Sequence, residues 1–109
     1  MSRFFPTSDE CGHHSVFGTT QIRTIAGEHL QLSFVNIPAD GAVDWHTHPN
    51  EQMGLVISGR ATFTIGDEEK ILGPGEFFCI PGGVRHRVVP IDGPVQAIDA
   101  FYPIRDEYR

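Results

Sequence analysis

Apolar residues recur along this chain in short runs bounded by Gly, Pro, Asp and Asn, and no run carries a helical period. Alternation with period two predicts strands instead. The clearest strand is His29–Ile37, where Leu30, Leu32 and Phe34 share one face. Gln21–Ala26 precedes it, and Val43–His48 and Gln52–Ser58 follow. Ser58-Gly59-Arg60 reads as a tight turn into Ala61–Ile65, and Gly66-Asp67-Glu68 as a second turn into Glu69–Leu72. Gly73-Pro74-Gly75 and Pro81-Gly82-Gly83 break the chain before Glu76–Ile80 and Arg85–Val89, and Val95–Phe101 is a late strand. Many short strands with this punctuation predict an all-β sandwich or barrel.

A chain of 109 residues makes one domain. It holds no repeat, low-complexity tract or linker. Residues 1–15 are expected to be flexible or to pair with a partner subunit. The formal charge of −6, with no basic cluster, argues against nucleic acid as a partner. No apolar run is long enough to span a membrane. The N-terminal MSRFFPTSDE lacks the apolar stretch of a signal peptide, so the expected location is cytoplasmic. Cys79 lies in Phe77-Phe78-Cys79-Ile80 and is expected to be a buried small hydrophobe. Cys11 lies in a polar, loop-like stretch, and neither cysteine is assigned a chemical role.

The candidate chemistry lies in HTHPNEQMGLVISG and PGGVRHRVV. His46 and His48 are two apart, so within a strand they share a face. His86 arrives from a later strand, and Gln52 begins the strand after the Pro49-Asn50 turn. Three imidazoles form a common catalytic metal set with positions left open for water or substrate. The competing explanation for any single strand histidine is a satisfied or exposed polar residue, and His13, His14 and His29 read that way.

These motifs resemble those of the cupins, small jelly-roll barrels. The first cupin motif is Gly, HxH, an acidic ligand three or four residues on, then six residues and Gly. Here it reads His46-Thr47-His48, Gln52 and Gly59. The second is Gly, five residues, PxG, two residues, His, three residues and Asn. Here it reads Gly75, Pro81-Gly82-Gly83, His86 and Pro90. The resemblance therefore implies a single cupin domain over residues 1–109, with motifs at 41–59 and 75–90. The departures are Gly41 one residue closer to His46 than the pattern, Pro90 in place of Asn, and Gln52 in place of the acid. Glu51 is adjacent but is expected to point to the other face.

Three neutral imidazoles and an amide leave a divalent ion its full charge. That biases the site towards redox-neutral polarisation of an anionic, oxygen-rich substrate and away from oxygen activation. The expected cofactor is one divalent metal ion, with zinc, nickel, manganese, cobalt and iron left undistinguished.

The C-terminal stretch Ala97–Tyr108, with Asp99, Phe101, Pro103, Arg105 and Tyr108, sharpens the resemblance towards the KdgF-type cupins of pectin degradation, which carry HxHPxEQ, PGxxH and DxFxPxRxDY patterns. The pattern alone leaves open whether Asp99 and Phe101 or Ile98 and Ala100 face inward. The resemblance implies metal ligands His46, His48, Gln52 and His86, an acid/base at Asp99 and a pocket aromatic at Phe101. Arg105 is a candidate for a substrate carboxylate, with a surface ion pair to Asp106 or Glu107 as the alternative. Arg85 stands where many relatives carry a small residue or Pro. The implied activity is ring opening of 4,5-unsaturated uronates to linear keto sugar acids, by a cytoplasmic homodimer with an open sheet edge. The rival readings are a quercetinase-like dioxygenase, a non-catalytic binder of small anions, and a lyase of small organosulfur or carboxylate substrates. The lyase needs a pocket tyrosine, and parity turns Tyr102 away.

Overall fold

The computed structural model describes residues 4–109, so the expectation for the first residues of the N-terminal segment, 1–3, lies outside the described residues. The strands are β1 (Gly12–Val16), β2 (Thr20–Ala26), β3 (Gln31–Ile37), β4 (Val43–His46), β5 (Glu51–Ile65), β6 (Glu68–Leu72), β7 (Phe77–Ile80) and β8 (His86–Tyr102). All pairings are antiparallel. β5 and β8 pair along their whole length, from Glu51↔Tyr102 to Ile65↔His86. One half of this long ribbon is flanked by β3 and β7, the other by β4 and β6. The ribbon thus belongs to both layers of a jelly roll. Residues 12–15, within the segment expected to be flexible or to pair with a partner subunit, belong instead to β1, which pairs with β2 inside the same chain.

Ser58-Gly59-Arg60 is a bulge within β5 rather than a turn between two strands, with register shifts on both sides of Ser58. Gly59 has φ +80°, and a Cβ there would collide with the Pro94 carbonyl. The extra residue reverses the alternation: Gln52 and Val56 point inward before it, Ala61 and Phe63 after it. The turn residues were legible in the sequence, but their use to bend one strand was not. Arg85–Val89 and Val95–Phe101 likewise merge into β8, whose inward face shifts from His86 and Val88 to Val95, Ala97, Asp99 and Phe101.

The apolar core lies between the layers and includes Val35, Ile37, Val56, Phe63, Leu72, Phe78, Ile80 and Val95. Phe63 and Phe78 meet with ring centroids 4.7 Å apart. On β3 the inward face is Gln31, Ser33, Val35 and Ile37, while Leu30 and Leu32 are exposed. The barrel lumen near its mouth is polar, so the face that looks apolar in sequence is the outer one. The same inversion holds on β7, where Phe78 and Ile80 fill the core and Cys79 is exposed rather than buried.

Candidate metal centre and acid site

The backbone brings the motif residues together at the mouth. His46 ends β4, His86 opens β8, and the two are register partners. β4 stops before His48, which sits in the following loop rather than on the same strand face. The three rings nonetheless converge, with centroids 4.2 Å apart for His46–His86, 5.0 Å for His48–His86 and 5.5 Å for His46–His48. One ligand nitrogen from each lies within 4.8 Å of the others.

Backbone carbonyls set the tautomers. Nδ1 of His46, His48 and His86 lies 2.8, 3.1 and 2.9 Å from the carbonyls of Asp44, Asn50 and Val84. A carbonyl only accepts, so each Nδ1 donates and each Nε2 keeps its lone pair. Nε2 of His86 is buried and has no partner. Nε2 of His48 lies 3.0 Å from Gln52 Oε1. Both are acceptors in this arrangement, which is unfavourable unless a cation lies between them. About 3 Å is the spacing expected of neighbouring donors that share one ion through ~2.1 Å bonds. The donor set therefore fits a divalent metal.

Burial acts on the imidazoles in the same direction. Desolvation lowers the pKa of His46 and His48, with the Arg105 charge adding to it, and lowers His86 to about 4. Neutral imidazole is the ligand form.

Asp99 faces inward with Phe101, resolving the ambiguity of the last strand. Its carboxyl is buried, and Oδ1 has no partner. Burial pushes its pKa up to about 7, against the lowering effects of a Gln52 hydrogen bond and Arg105. Phe101 packs edge-on to His48 at 5.7 Å. Gln52 opposes Phe101 across the β5–β8 ladder and is buried, whereas Glu51 and Tyr102 are exposed on the outer face.

Beyond a cis Tyr102–Pro103 bond, the chain runs into a short 3-10 turn, Asp106–Tyr108. Arg105 and Tyr108 line the same cavity as His46, His86, Gln52 and Asp99. Arg105 makes the ion pair considered for it, Nε lying 3.2 Å from Glu107, and its guanidinium lies over the rings of Phe101 and Tyr108. Gln31 holds this segment. Its amide donates to the carbonyls of Arg105 and Tyr108, and its Oε1 accepts from the Arg105 N–H at 2.9 Å. Gln31 escaped the sequence reading, although a polar residue on the inward parity of a strand was its signal; Tyr108 entered that reading only as the last residue of the C-terminal pattern, with no role assigned. Arg85 lies outside the cavity and stacks on Trp45, its guanidinium carbon 4.2 Å from the ring centroid.

A jelly roll that gathers three histidines at its mouth is a cupin architecture with a metal-competent site. The chain belongs to the Cupin domain family, whose model matches residues 33–101. Among solved structures, KdgF from Halomonas sp. is similar at 27% identity and TM-score 0.83, over 94% of this chain and 97% of that one. An RmlC-like cupin from Shewanella frigidimarina NCIMB 400 shares the fold at TM-score 0.87 and 20% identity, over 99% and 97% of the two chains. Dimethylsulfoniopropionate lyase DddQ of Ruegeria pomeroyi is 31% identical over 74 residues. That match covers 67% of this chain, which spans only 37% of the lyase. No helix among the described residues is long and apolar enough to cross a membrane.

Proposed function

We propose that this protein catalyses metal-dependent, redox-neutral ring opening of a 4,5-unsaturated uronate to a linear keto sugar acid. The observation that carries the reading is Asp99, a buried carboxyl with an unpartnered oxygen in the cavity lined by His46, Gln52 and His86. The similarity to KdgF supports it.

His46, His48, His86 and Gln52 hold the metal, which supplies Lewis-acid polarisation of an anionic oxygen when bound. Arg105 pairs with the substrate carboxylate, and Phe101 packs against the sugar. Asp99 takes the proton of the anomeric hydroxyl as C1=O forms. The C1–O5 bond breaks and its electrons pass to O5. Asp99 then returns the proton to C4, and the C5 enolate becomes a ketone. No oxidant or net water is consumed. A carboxyl with a pKa of about 7 suits both halves of this transfer.

The test is loss of the enol-ether ultraviolet absorbance of unsaturated galacturonate. Metal-loaded wild type should accelerate it, while chelated protein and Asp99→Asn should not. No acceleration by wild type over the spontaneous reaction sinks this substrate.

Tyr108 favours a second reading, a lyase acting on a small carboxylate such as dimethylsulfoniopropionate. It supplies the pocket tyrosine that Tyr102 does not, and the match to DddQ supports the same class. Release of dimethyl sulfide that depends on the Tyr108 hydroxyl, assayed with Tyr108→Phe, separates the two readings.

A further inference from the structure

The turn from β1 to β2 consists of Phe17, Gly18 and Thr19, between the paired residues Val16 and Thr20. Phe17 and Gly18 both lie in the left-handed region, at φ +50° and +86°. Asn-Gly adopts consecutive positive angles with little strain, whereas the Cβ and ring of a phenylalanine make the first of them costly. Nothing in the turn itself calls for a ring, since the Thr19 N–H donates to the Phe17 carbonyl at 3.2 Å whatever the side chain. A bulky residue held in such a conformation points to a use for its side chain.

That side chain lies against the histidine cluster. Its ring centroid is 5.0 Å from that of His46, and it lines the same cavity as His86, Gln52, Asp99 and Arg105. His46 is the most open of the three histidines, half-buried where His48 and His86 are buried. Phe17 is 39% exposed, so it stands at the rim of the cavity and not in the core. The strand behind it is tied to the other wall of the mouth, where His14 meets Tyr108 edge-on at 5.4 Å. β1 thus runs from the C-terminal segment to the histidines, and its end delivers the ring.

We infer that Phe17 is a specificity-determining cover of the mouth. Its ring shields the open side of His46 from bulky reagents and packs against the small ligand that enters. The ligand it fits has an apolar ring face for Phe17 and an anionic group for Arg105, as a sugar acid has. The choice of a sugar acid rests on the function proposed above; the cover does not.

The test uses zinc-loaded protein and pyridylazoresorcinol, a bulky chelator that colours on taking zinc. Phe17→Asn keeps the turn angles and removes the ring. It should surrender zinc about tenfold faster than wild type, with the equilibrium zinc affinity within about threefold because no metal-binding residue has changed. Phe17→Tyr keeps a ring and should retain the slow wild-type rate. Phe17→Gly, which also tolerates the backbone angle, should match Phe17→Asn. Equal rates in wild type and both ringless variants overturn the inference, as does a loss of zinc affinity large enough to account for the faster release. A second arm titrates cobalt-loaded protein with galacturonate, which is saturated and is not consumed, and follows the visible spectrum. Phe17→Asn should bind it about threefold or more weakly than wild type. A wild-type spectrum that galacturonate leaves unchanged overturns the sugar-acid assignment, while the zinc arm, which contains no sugar, decides the cover.

Discussion

Gly54 stands opposite Asp99 in the β5–β8 ladder, and its missing side chain makes room for the carboxyl. A Cβ placed there would lie 2.9 Å from Asp99 Oδ1 and 2.8 Å from Phe78 Cζ, and would collide with the Ile98 carbonyl. Gly54→Ala should therefore displace Asp99 while leaving the histidines in place. The expected result is stoichiometric metal by elemental analysis, a stability loss of about 1–3 kcal/mol, and at least a tenfold drop in kcat for the proton transfer. Full activity in Gly54→Ala would show that Asp99 has slack.

Asp99 should make the metal-free protein pH-sensitive. Its folded-state pKa is raised from 3.8 to about 7, so its contribution to stability is fully present below pH 3.8 and is lost as pH rises through about 7. Asn mimics the neutral form without titrating. Asp99→Asn should be more stable than wild type at pH 8 by on the order of 4 kcal/mol, converging with it near pH 4. Urea denaturation of chelated proteins at the two pH values checks this.

The histidines carry the opposite sign. Their folded-state pKa values are lowered, so the stability they contribute is present above pH 6.5 and is lost as pH falls, through about 4 for His86. The imidazoles remain neutral and ready to ligate below their usual pKa. Metal should stay bound at pH 6 and be released only towards pH 4, as followed by elemental analysis after dialysis. His48→Ala should lose the metal at neutral pH and keep its strand content by circular dichroism. Retention of stoichiometric metal would remove His48 from the ligand set.

Gln31 is 1% exposed and makes three hydrogen bonds to the backbone of the C-terminal segment. Gln31→Leu keeps the bulk but strips the Arg105 N–H of its partner and removes one of the two bonds at each of the Arg105 and Tyr108 carbonyls. It should cost roughly 2–4 kcal/mol and free the chain beyond Pro103. Limited proteolysis should then clip the C-terminus, and KM for an anionic substrate should rise more than kcat falls because Arg105 loses its anchor.

The sequence disclosed the site more readily than the path of the strands around it. His46, His48, Gln52, His86, Asp99, Phe101 and Arg105 all carry unusual chemistry at fixed spacing, and the fold gathers them at one mouth. The face of β3 was harder to judge because the lumen is polar where Gln31 and Ser33 enter it, while Leu32 lies outside. Apolar alternation identifies a strand, but it identifies the inside only where the inside is oily. The bulge at Gly59 was hidden for a related reason: a glycine with positive φ serves a hairpin and a kink equally well.

His86 and Asp99 sit near opposite ends of β8, yet they line one cavity. Drawn straight at ~3.3 Å per residue, the interval between them would exceed the long axis of the whole molecule, 40 Å. Between them lie Pro90 and Pro94, with Asp92 and Gly93 at φ +56° and +141°. β8 is thus a pair of callipers, and this remote elbow sets the gap between its tips. Changes at the elbow would shift the histidine cluster against the Asp99 carboxyl without altering a residue of either.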